Sequence, residues 1–153
     1  MQSHKIRFII IAVLCFCMTV ASVVTFLSRP SAVPDRLLES SGTVGSVRAS
    51  RSKSRLQSVN FTVAPAGDEF KYSSILPGID PLWNEIRAGA PVRVTFSEED
   101  GEREVWGLRL GDRVVVTPDQ ALQARRENGK NGIIFGLLAL AGAGYFLHLA
   151  RKA

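Results

Sequence analysis

Two uncharged apolar blocks, one near each end, constrain this 153-residue chain more than any other feature. The first runs from Phe8 to Leu27. A helix of about 20 residues, rising 1.5 Å per residue, covers about 30 Å, the hydrocarbon thickness of a bilayer. The second runs from Gly132 to Ala150, is rich in Gly and Ala, and is closed by Arg151 and Lys152. Both blocks predict transmembrane helices, at 8–27 and 132–150. A cleavable signal peptide has an apolar core of only about 7–15 residues followed by small residues. The first block is longer than that and ends in Ser28-Arg29-Pro30-Ser31, so it reads as an uncleaved anchor.

The net charge of +5 is concentrated in the tails at 1–7 and 151–153, which carry Lys5, Arg7, Arg151 and Lys152. What lies between is near neutral, which argues against bulk nucleic-acid binding. Cys15 and Cys17 both fall in the first apolar block, so the central region has no disulfide and also no histidine.

Small residues recur along one stripe of each apolar block: Ala12, Cys15, Thr19 and Ser22 in the first, and Gly132, Gly136, Ala139 and Ala143 in the second. Lipid gives no hydrophobic reward for helix association, so close backbone approach and interhelical hydrogen bonds must drive it. The stripes predict either a helix hairpin or a homodimer.

Between the blocks, 28–40 reads as a linker with Pro30 and Pro34. A β-rich domain is expected at 41–117 and a connecting amphipathic helix at 118–131. Alternating apolar positions mark six short strands, around Val44 and Val47; Val59, Phe61 and Val63; Phe70 and Tyr72; Val92, Val94 and Phe96; Trp106, Leu108 and Leu110; and Val114 and Val116. Gly111-Asp112 is a two-residue hairpin signal. One short helix is expected after Asp80-Pro81, capped by Asp80 and ended by Gly89. The expected fold is an α+β membrane protein. Its two transmembrane helices flank a small closed or half-closed β-barrel of OB-like or SH3-like type with one inserted helix. Thr117-Pro118-Asp119-Gln120 reads as a capping box opening a second helix. Asn128, Gly129, Asn131 and Gly132 either break that helix or leave it continuous with the second span.

The chemistry of catalysis is missing from this pattern. The central region has no His or Cys, no phosphate-binding glycine loop and no dinucleotide fingerprint. Glu98, Glu99, Asp100, Glu102 and Glu104 lack the spacing of a calcium loop and read as a solvated hairpin. No cofactor, metal site, catalytic residue or small-molecule substrate is expected. Arg48, Arg51, Lys53 and Arg55 form a basic run without an acid, a candidate contact for anionic lipid or an acidic partner. Trp83 and Trp106 read as packing residues.

The short basic tail before the first span resembles a signal anchor, favouring cytoplasmic termini and a periplasmic domain in a bacterial inner membrane. Basic residues nearly balance on the two sides, and loops longer than about 60 residues translocate largely regardless of charge. Four segments carry a family resemblance: Gly42-Thr43-Val44, Phe70-Lys71-Tyr72-Ser73-Ser74, Gly89-Ala90-Pro91-Val92-Arg93-Val94 and Trp106-Gly107-Leu108. With the layout of span, β domain and span, these resemble bacterial inner-membrane proteins of a family named only as a domain of unknown function. The resemblance implies a fold and a membrane location but no activity. The function expected is a non-enzymatic, membrane-anchored binding or scaffolding module, such as an accessory subunit of an envelope complex. The alternative is an assembly or regulatory factor acting on another membrane protein through the transmembrane hairpin. Partners are the bilayer and a membrane protein or a second copy.

Overall fold

The computed structural model describes residues 2–28 and 30–152. Met1, Arg29 and Ala153, assigned from the sequence to the tails and to the close of the first span, lie outside the described residues. The chain divides into two compact units. One holds the N-terminal helix with the chain from Arg126 onward, and the other spans Pro30–Arg125.

The element order is α1 (Gln2–Leu27), β1 (Leu38–Ser52), β2 (Arg55–Ala64), β3 (Asp68–Ser73), α2 (Ile79–Glu85), β4 (Pro91–Glu99), β5 (Glu102–Leu110), β6 (Arg113–Val116) and α3 (Pro118–Lys152). β1 starts at Leu38, inside the segment read as linker, because Leu38 to Thr43 pair with Phe96 to Pro91 of β4. α3 is one helix across Asn128, Gly129, Asn131 and Gly132, so the continuous alternative is the one observed. Its start is a reciprocal capping box: Thr117 N–H donates to Gln120 Oε1 at 3.0 Å and Gln120 N–H to Thr117 Oγ1 at 3.3 Å.

Six antiparallel strands form one sheet in the order β3-β2-β1-β4-β5-β6. The first half of β1 pairs with β4 and the second half with β2, overlapping only at Thr43. The sheet turns its corner here, and Gly42 shows why a side chain is excluded. A Cβ at Gly42 would stand 1.8 Å from the carbonyl oxygen of Ala64. Just beyond, the ladder skips Gly45 and Ser46, and Thr62 Oγ1 accepts the Ser46 N–H at 2.9 Å in place of a backbone carbonyl.

Of the closed or half-closed barrel expected from the alternation, the closed form does not occur; the sheet is open, with the order ending at β3 and β6. β6 has only four residues and pairs β5 only along Leu108–Leu110, leaving the first half of β5 without a strand neighbour on that side. Residues of α2, its flanking segments and α3 complete the core instead. Leu76, Ile79, Leu82, Ile86 and Ala121 are buried in one cluster with Val59, Phe61, Val63, Phe70, Tyr72, Val94 and Trp106.

α2 also departs from its expected ends. Its N-cap is Gly78 in the left-handed region (φ 75°), and Asp80 lies in the first turn rather than at the cap. The helix ends at Glu85, before Gly89, because Ile86 turns extended and is buried. The Arg87 guanidinium then donates to the carbonyls of Trp83 and Ile86.

Candidate functional site

Three surfaces concentrate chemistry: the helix pair, a cleft in the β unit, and the β1–β2 hairpin tip.

In the helix unit, Ala12, Ser22, Gly136 and Ala143 are buried, and Cys15, Thr19, Gly132 and Ala139 are half-buried. Several of these meet directly. A Cβ at Gly136 would lie 2.9 Å from Ser22 Cβ, and one at Gly132 would lie 3.8 Å from Ser22 O. The Thr19 hydroxyl lies 3.0 Å from Cys15 O and 3.2 Å from Gly136 O, so it links its own helix to the other. Gly142, outside the expected stripe, faces Cys15, with Sγ 3.7 Å from where its Cβ would stand. Phe8 stacks on Phe146 at 6.4 Å between centroids. Ascending positions in α1 thus meet descending positions in α3, which is an antiparallel pair. The other faces of both helices are apolar and exposed, with Leu14 at 58%, Leu137 at 62% and Leu138 at 68%.

The cleft, of about 680 Å³, opens between β3 and the β4–β5 hairpin. Lys71 and Ser73 line one side, and Glu102, Arg103 and Arg125 the other. Its arginines are engaged by the fold. Arg103 pairs with Asp68 at 2.9 Å and with Glu98 at 3.5 Å, tying β5 to β3 and to β4. Asp68 also accepts from Ser40 Oγ at 2.8 Å.

Arg125 is the most constrained charged side chain of the site, at 12% exposure. Its guanidinium lies 4.2 Å from the Trp106 ring centroid, pairs with Glu104 at 3.0 Å, and donates to Val105 O at 2.8 Å. It thereby supplies a donor where β5 lacks a strand neighbour. Its Nη1 is buried without a protein partner. Burial pushes the guanidinium pKa down, against the raising effect of Glu104. Burial also pushes the Tyr72 hydroxyl well above its ordinary range, opposed by the charge of Arg125. Tyr72 donates to Pro77 O at 2.5 Å, and Trp106 Nε1–H donates to Ser97 Oγ at 2.9 Å. The cleft therefore holds ion pairs that clasp the open side of the sheet. Among the described residues no group of three or more His, Cys, Asp or Glu is placed to hold a metal ion.

The hairpin tip holds Arg48, Arg51, Lys53 and Arg55, all exposed. Arg51 lies 5.9 Å from the ring centroid of Trp83. Lys53 and Ser54 form the turn with φ of 47° and 67°, both left-handed.

Arg125 was not anticipated from the sequence, because its periodicity marks only an amphipathic helix and its partners lie about 20 residues away on another element. The one sequence signal for it is the Trp106 strand followed by a basic helix face.

No protein-family profile, curated protein or solved structure matches this chain.

Proposed function

We propose that this chain is a non-enzymatic, membrane-anchored binding or scaffolding module, with α1 and α3 as two spans and the Pro30–Arg125 unit as its water-facing part. The observation that carries this reading is the distribution of apolar surface on the helices. Both are long and apolar enough to cross a membrane. They bury small residues against each other and expose Ile, Val, Leu and Phe elsewhere. In water such a surface is far larger than a monomer tolerates, whereas in lipid it is solvated. We place the protein in a bacterial inner membrane with cytoplasmic termini and a periplasmic β unit. Its partners in this reading are the bilayer and a membrane protein or a second copy.

The test is photo-crosslinking in intact cells, with a crosslinkable residue placed either at Lys53 or at Leu138. One discrete adduct formed from Lys53 supports a binding role for the β unit. An adduct formed only from Leu138 transfers that role to the helices and selects an assembly or regulatory factor. No adduct from either position would contradict the reading.

A further inference from the structure

The proposed anchoring leaves open what the hairpin tip meets, and the inference here rests on that anchoring. Arg93, Arg103, Arg113 and Arg125 each pair with a carboxylate: Glu39, Asp68 and Glu98, Glu85, and Glu104 respectively. Among the described residues, no ion pair is recorded for Arg48, Arg51, Lys53 or Arg55. Glu85 of α2, two residues from Trp83, is engaged by Arg113. Arg36, Lys71, Arg87 and Arg109 also make no ion pair among the described residues, but only the hairpin places four such cations within eight residues.

The turn sets Lys53 at the apex in a left-handed conformation that a β-carbon disfavours. The Asn-Gly pair that suits such a turn at lower cost carries no charge. Beside the tip, half-buried Trp83 lies under Arg51. Next to it is a shallow groove of about 410 Å³ whose walls include Val47, Ile86, Arg87 and Ala88. Two cations, Arg51 over the ring and Arg87 in the groove wall, flank an indole and an apolar groove, which is the chemistry of a membrane–water interface, where the ring sits among head groups and the cations meet phosphate.

We infer that the β1–β2 tip, with Trp83 and Arg87, is a contact site for anionic phospholipid head groups. With α1 and α3 as spans, the chain itself tethers this unit to a bilayer, an anionic surface. Each Lys or Arg within reach of such a surface raises local occupancy about fivefold, so four raise it by roughly several hundredfold.

The experiment uses the full chain reconstituted into phosphatidylcholine vesicles with or without phosphatidylglycerol, with acyl chains brominated near the head group to quench tryptophan. Buried Trp106 is subtracted by comparison with Trp83→Phe. Resistance to alkaline extraction reports insertion separately. The expected result is Trp83 quenching that requires phosphatidylglycerol. It should be lost in about 1 M salt, where the Debye length is about 3 Å, and lost in the R48S/R51S/K53S/R55S variant. An inserted chain whose Trp83 is equally quenched, or equally unquenched, in both lipids overturns the lipid site and leaves the anchoring intact. Displacement of a tip label by poly-glutamate, without lipid quenching, reassigns the tip to an acidic protein. A chain that does not insert overturns the anchoring as well.

Discussion

Arg125 is the most buried of the ion-paired arginines of the β unit. It stacks on Trp106, satisfies Val105 O and pairs with Glu104 while largely buried. Arg125→Ala is expected to destabilise the unit by about 2–3 kcal/mol, from a lost charged hydrogen bond and a lost cation–π contact. Arg125→Lys should recover only part of this, because an ammonium cannot stack and reach both oxygens in the same geometry. Thermal unfolding followed by near-UV dichroism of Trp106 measures both. Tyr72 imposes a pH dependence of definite sign. Its folded pKa is raised above the unfolded value of about 10, so its contribution is complete below that pH and is lost as the pH rises further. Denaturant midpoints across alkaline pH should fall in the native protein and fall less in Tyr72→Phe. Gly42 and Gly67 separate crowding from conformation. Gly42→Ala drives a methyl into the Ala64 carbonyl, whereas at Gly67, with φ 75°, nothing lies within 4 Å. The first should cost more than the second, for which about 1 kcal/mol is expected. The roles of Arg125, Tyr72 and Gly42 were not legible in the sequence, since each depends on a partner brought close only by pairing or packing.

At the scale of elements, alternation marked strands such as β2 and β4, which bury Val59, Phe61 and Val63 and Val92, Val94 and Phe96, whereas β5 buries Val105 to Leu108 in a row and β6 buries Val116 but leaves Val114 exposed. The capping box at Thr117 was equally legible, because its two hydrogen bonds join residues three apart. Two features were not legible. The end of α2 at Ile86 answers to tertiary burial, and the open sheet follows from the shortness of β6, which alternation does not reveal. The helix pair makes the sharpest prediction at this scale. Cys15 Sγ lies 3.7 Å from where a Gly142 Cβ would stand, so Gly142→Cys in a Cys17→Ala background should oxidise to a disulfide between the introduced thiol and Cys15 of the same chain. Adding Gly136→Leu, which puts a branched side chain against Ser22, should sharply reduce that yield, compared on reducing and non-reducing gels. An undiminished yield would contradict packing through the small-residue stripes.

For the molecule as a whole, the proposed function stands on α1 and α3 crossing a membrane as an antiparallel pair, with Arg48 to Arg55 presented by the unit between them. The layout of two apolar ends around a near-neutral middle was legible from the chain itself, because lipid and water sort residues by composition before any contact is considered. The clasp that closes the β unit was not, for the reasons seen at Arg125. The most direct test is a pair of fusions in bacterial cells: a fluorescent protein after Ala153, and alkaline phosphatase after Lys130. Two spans with a periplasmic β unit predict membrane fractionation, a fluorescent C-terminus and an active phosphatase, because one span separates the two points. A dark C-terminus with inactive phosphatase would reverse the orientation while keeping two spans. Fluorescence with inactive phosphatase, or darkness with active phosphatase, would put both points on one side of the membrane and contradict the second span.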